Sequence, residues 1–106
     1  KQAKAKSVLS NGIEINSQLG NRVRASMKGK VIYVDKLQGL GKVIMIDYGY
    51  NTIGVYGNII SSKVKVNQRV EANEPIGILG LSTEGKPNLY YEVRFNLKPI
   101  NPETMF

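Results

Sequence analysis

The chain has 106 residues, 15 Lys and Arg against 8 Asp and Glu, a formal net charge of +7, and neither His nor Cys. That length suits one domain with one modest core. Without Cys there are no disulfides or thiolate nucleophiles. Without His, most zinc sites, Ser–His and Cys–His hydrolases and His-based acid/base schemes are excluded within the chain, which leaves carboxylates, Lys and Tyr as catalysts.

Residues 1–11 are polar and irregular and are expected to be the end of a linker, with the domain over 12–106. Any export signal of a longer protein is expected upstream of Lys1, and no apolar run approaches membrane-spanning length. From Gly12 onward, short apolar segments are cut by Gly, Asn and Pro. In chain order the predicted strands are GIEI (12–15), RVRA (22–25), KVIYVDK (30–36) and KVIMID (42–47). TIGVY (52–56), KVKV (63–66), IGILG (76–80) and LYYEVRF (89–95) follow. No segment holds a helical period, so the expected fold is all-β: a compact antiparallel sandwich or barrel with little helix.

Alternation along the last of these strands assigns its faces. Leu89, Tyr91, Val93 and Phe95 share one side, expected to be core; Asn88, Tyr90, Glu92 and Arg94 share the other. On strand physics alone, Tyr90 reads as a half-exposed sheet tyrosine and Arg94 as the salt-bridge partner of Glu92. Tyr56 reads as core packing, Asn58 and Asn88 as turn residues, and Asp47 as a strand-end charge.

An ordered set of stretches then carries a resemblance. GIEI, NRVRASMKGKVIYV, GLGKVIMIDYG, VYGN, VKVNQRVEANEPIGILG and PNLYYEVR followed by PINP are similar to the lysostaphin-type, LytM-like metallopeptidase domain, from Gly12 to Met105. What the resemblance implies is a zinc site built on histidines. Its early His falls on Ser10 and its Asp on Glu14. The His after the central strand falls on Tyr48, that of a Tyr-x-His segment on Asn58, and those of a His-x-His segment on Asn88 and Tyr90. Every imidazole is replaced, so the chain resembles the degenerate branch, closest to the EnvC-like murein hydrolase activators. The implied function is non-catalytic: binding and activation of an N-acetylmuramoyl-L-alanine amidase in the bacterial periplasm, with no metal or cofactor.

The implied contact surface is the former active-site groove, expected to be lined by Leu40, Val43, Tyr48, Tyr56, Asn58, Asn88, Tyr90 and Arg94, with a partner helix laid across it. Three other readings stand beside this one. A scaffold for an active LytM-like endopeptidase in cell-shape control keeps the family and changes the partner. A biotinyl or lipoyl carrier would use Lys28 in RASMKGKV. Direct peptidoglycan binding fits the positive charge. The basic residues are scattered, coming closest to clusters at Lys1, Lys4 and Lys6 and at Arg22, Arg24, Lys28 and Lys30, so a solvated basic surface is expected, and nucleic-acid binding has nothing else in its favour. Residual hydrolysis would rest on Glu14, Asp47 and Glu92, which show no pairing in sequence.

Overall fold

Runs of β-branched residues broken by Gly and Asn give nine strands in the computed structural model, which describes residues 12–96 and, as backbone, 98–100. They are β1 (Ile13–Asn16), β2 (Arg22–Arg24), β3 (Gly29–Leu37), β4 (Gly41–Gly49) and β5 (Thr52–Ser62), then β6 (Arg69–Val70), β7 (Pro75–Leu79), β8 (Asn88–Phe95) and β9 (Lys98–Ile100). All pairings are antiparallel, and no helix occurs among the described residues. The all-β expectation holds.

The strands run β1-β8-β5-β4-β3-β6; β7 pairs with β2 and with the far end of β5, and β9 pairs with β8. Strand β5 does two jobs. Its first half lies between β4 and β8, and its residues from Ile59 onward pair with β7. Asn58 makes that change of direction. Its φ of 65° puts one extra residue into β5 opposite Val43, since Lys42 faces Ile59 while Ile44 faces Tyr56. Asn tolerates this left-handed conformation better than most residues, and an extra residue bends its strand. The Asn58 amide also donates to the Leu40 carbonyl at 2.7 Å, tying the β3–β4 turn to β5.

The β4–β5 hairpin closes on Tyr50 and Asn51, both with positive φ (55° and 59°), and Gly49 pairs with Thr52 across them. Two such central residues make the turn whose twist matches the flanking strands.

Phe95, expected in the core, is exposed at the end of β8, and two strand assignments differ. KVKV is not a strand: the Ser62 hydroxyl bonds the backbone on both sides of Val64, and Gln68 closes a turn on Lys65, so local polar groups take the backbone out of pairing. Strands β6 and β9 were not anticipated; at two and three residues they are too short to show alternation.

The sheet presents two packed faces. The inner one carries the main core, including Val31, Ile44, Ile46, Tyr56, Ile76, Leu79, Tyr91 and Val93. The outer face of β4, β5 and β8 carries a second, smaller cluster of Leu40, Val43, Val55 and Tyr90, flanked by half-buried Tyr33, Leu37, Met45 and Ile53.

Candidate functional site

Cross-strand register fixes which side chains meet on the outer face. Glu14 faces Tyr90, Gly57 faces Tyr90 from the other side, Val55 faces Glu92 and Ile53 faces Arg94. Met45 faces Val55 and Tyr33, and Val43 faces Asp35. Directly opposed residues project to the same side of a sheet. One continuous surface therefore runs from β1 to β3, apolar in the middle and carrying Glu14, Asp35 and Asp47 around it.

A chain of polar contacts stiffens its β8 end. The Tyr90 hydroxyl donates to Glu92 Oε1 at 2.9 Å, and Arg94 Nε donates to Glu92 Oε2 at 2.9 Å. Glu92 is 2% exposed while the Arg94 side chain is 35% exposed, so the carboxylate is enclosed and the guanidinium reaches solvent. Burial, with the Glu92 charge second, pushes the Tyr90 hydroxyl above its ordinary pKa. Above Tyr90, Asn58 Nδ2 donates to the Asn88 carbonyl at 2.8 Å, and Asn88 Nδ2 reaches Glu14 Oε1 at 3.4 Å.

Six of the eight residues expected to line a groove lie together, but all of them except Arg94 are buried, so they form a packed layer. Leu40, Val43, Asn58, Asn88, Tyr90 and Arg94 come together, with Glu14 beside them; Ser10 lies outside the described residues. Tyr90 is 2% exposed rather than half-exposed, because Gly12 presses on its ring and Gly57 and Leu40 close beneath it. The Arg94–Glu92 salt bridge and the left-handed Asn58 match the plainer readings of those residues.

Tyr48 and Tyr56 are not part of this surface. They project from the inner face, where the Tyr48 hydroxyl bonds those of both Tyr56 and Tyr91, and the Ser26 amide donates to Tyr56 at 2.8 Å. Alternation gives the reason: Tyr48 is in phase with Ile44 and Ile46, and Tyr56 faces Ile44. Burial and the neighbouring phenols push the Tyr48 hydroxyl well above its usual pKa, and burial pushes Tyr91 up to about 12.

Sequence reasoning missed Tyr33, Leu37, Met45 and Ile53 on the outer face, although the period-two pattern of β3, β4 and β5 carries them. It also missed Tyr50, 94% exposed at the hairpin tip, held at a positive φ and beside Ile53 and Asp47.

The residues do not fit the zinc that the resemblance implies. Zinc needs about three deprotonated N, S or O ligands. Here Glu14 is the one carboxylate among the mapped positions; Asn58 and Asn88 are neutral amides, and Tyr90 keeps its proton and donates a hydrogen bond to Glu92. Asp47, Glu14 and Glu92 do not form a catalytic pair: Glu92 is taken by Tyr90 and Arg94, and Asp47 Oδ1 accepts the Gly49 amide at 2.8 Å.

Comparison with known proteins places these observations. Residues 8–102 match peptidase family M23. The murein hydrolase activator EnvC of Escherichia coli K12 is 37% identical over 93 residues, covering 87% of this chain and 22% of EnvC. The murein hydrolase activator NlpD of the same organism is 28% identical over 92 residues, covering 86% of this chain and 24% of NlpD. The chain therefore spans about a quarter or less of these relatives' length. Among solved structures, the catalytic domain of the prophage-encoded M23 protein EnpA from Enterococcus faecalis superposes with a TM-score of 0.84 at 25% identity, over 97% of this chain and 87% of that one.

Proposed function

This chain belongs to peptidase family M23, and we propose that it is a non-catalytic member that binds and switches on an N-acetylmuramoyl-L-alanine amidase in the bacterial cell envelope. One observation carries the reading. At the described positions where the family resemblance calls for imidazoles on the outer face, Asn58, Asn88 and Tyr90 stand instead, and their hydrogen bonds run to one another's strands and to Glu92. A metal site has given way to a packed, internally bonded wall, which suits recognition better than turnover.

The occupant of the outer face is a helical segment of the amidase with an apolar stripe and basic flanks. The stripe meets Leu37, Met45 and Ile53, half-buried side chains that a partner finishes burying. The basic flanks answer Glu14 and Asp35, carboxylates on this face of a chain whose net charge is +7. Arg94 is the polar anchor, held in one orientation by Glu92.

The test is release of soluble fragments from labelled murein by the cognate amidase with this chain added. Ile53→Glu and Arg94→Glu are each expected to weaken the complex by about 2 kcal/mol, roughly 30-fold in affinity. Undiminished activation by both variants would refute the outer face as the contact. A stable complex with an active M23 peptidase instead of the amidase would keep the surface and change the partner.

A further inference from the structure

A second feature lies where β3, β4 and β6 meet. Lys28, Lys30, Arg69, Asp47 and Glu71 line an open cavity of about 560 Å³, floored by Gly29, Tyr48, Gly49 and Val70. Register makes it unusual. Lys30 and Arg69 stand directly opposite each other on paired strands, and like charges in that relation repel. Lys28 lies two residues before Lys30, at the end of the β2–β3 connection. None of the three cations takes part in an ion pair or side-chain hydrogen bond among the described residues. Gly29 keeps the floor tight, because a Cβ there would run into the Asp47 carbonyl.

The charges select a ligand class. Three cations against two carboxylates leave one net positive charge, which matches a monoanionic carboxylate better than a phosphate dianion. Asp47 and Glu71 at the same cavity offer acceptors for an ammonium group. Asp47 is already half engaged by the Gly49 amide, which fixes where its charge sits.

We propose that this cavity binds the charged end of a peptide, its carboxylate seated among Lys28, Lys30 and Arg69 and a neighbouring ammonium at Asp47 or Glu71. In the cell envelope the peptide of that chemistry is a murein stem peptide; that identification rests on the cell-wall reading above, whereas the charge chemistry does not. The site adjoins the outer face where Asp47 stands opposite Ile53, and its cations lie beyond that pair on β3 and β6.

The experiment is titration of the isotope-labelled chain with a soluble disaccharide–tetrapeptide from digested murein, followed by amide chemical shifts. Saturable shifts are expected at Gly29, Lys30, Gly49, Arg69 and Val70. Amidating the terminal carboxylate, or the double variant Lys30→Gln with Arg69→Gln, is expected to weaken binding at least tenfold, the variant's own spectrum reporting that it is folded. A peptide-free glycan is expected to leave these amides unmoved. Equal binding of the amidated peptide, unchanged binding by the double variant, or equal shifts with inorganic phosphate would each overturn the proposal. Failure here alongside loss of amidase activation in Ile53→Glu leaves the outer-face reading standing. Success here with normal activation by Ile53→Glu and Arg94→Glu removes that reading and keeps the cavity.

Discussion

Strand β8 carries two adjacent tyrosines with opposite fates. Tyr91 turns inward, its ring centroid 5.1 Å from that of Tyr56 and its hydroxyl on Tyr48. Tyr90 turns outward and donates a hydrogen bond to a carboxylate that also holds Arg94. Both are buried, yet the outward one sits in the smaller layer, beside the half-buried Tyr33, Leu37, Met45 and Ile53. The inner face spends its tyrosines on closure and the outer face uses its tyrosine to aim an arginine. Variants on the two faces should therefore separate stability from activation.

The strongest test of the inner face is Tyr56→Ala. Its ring is 1% exposed, and removing it also leaves the Ser26 amide without its acceptor. A loss of about 3–5 kcal/mol is expected in urea unfolding. A smaller loss, of order 1 kcal/mol, would mean that the three phenols do not tie the core together.

Alkaline pH probes the same cluster without mutation. Tyr91 titrates at about 12 in the fold against an ordinary 10.0, so the folded state keeps its proton longer. The stabilisation is complete below pH 10 and disappears as pH climbs towards 12. A two-unit shift corresponds to roughly 2–3 kcal/mol. Thermal melts from pH 8 to 11.5 are expected to fall steeply above pH 10.

On the outer face, Arg94→Ala leaves the Glu92 carboxylate with Tyr90 but without its cation. The guanidinium is partly solvated, so about 1–2 kcal/mol of stability is expected to go, together with most of the amidase activation. Retained activation in a folded Arg94→Ala would break the division of labour between the faces. The smallest effect is Tyr48→Phe, expected to cost about 1 kcal/mol and to leave activation intact, since the lost hydroxyl bonds only inner-face partners among the described residues.

Much of this architecture is legible in the residues. Alternation in LYYEVRF assigns Tyr90 and Tyr91 to their faces, and KVIMIDY in the same way puts Tyr48 with Ile44 and Ile46. Reading Tyr48 by family position alone, with its phase along the strand set aside, sends it to the wrong side. Tyr56 needed more: its face follows from the register set by the Tyr50–Asn51 turn, which opposes it to Ile44. KVKV alternates yet does not pair, because a single Ser62 hydroxyl outcompetes a strand partner for the local backbone. The cationic cavity was out of reach, as Arg69 meets Lys30 only through the two-residue strand β6.

Gly12 rests directly on the Tyr90 ring, and the polypeptide passes from there straight into β1. The place where the backbone joins the sheet is thus also the outer wall of the proposed recognition surface. Mechanical tension on that join would be felt by Tyr90 first, through Glu92 by Arg94 next, and by the rest of the scaffold last.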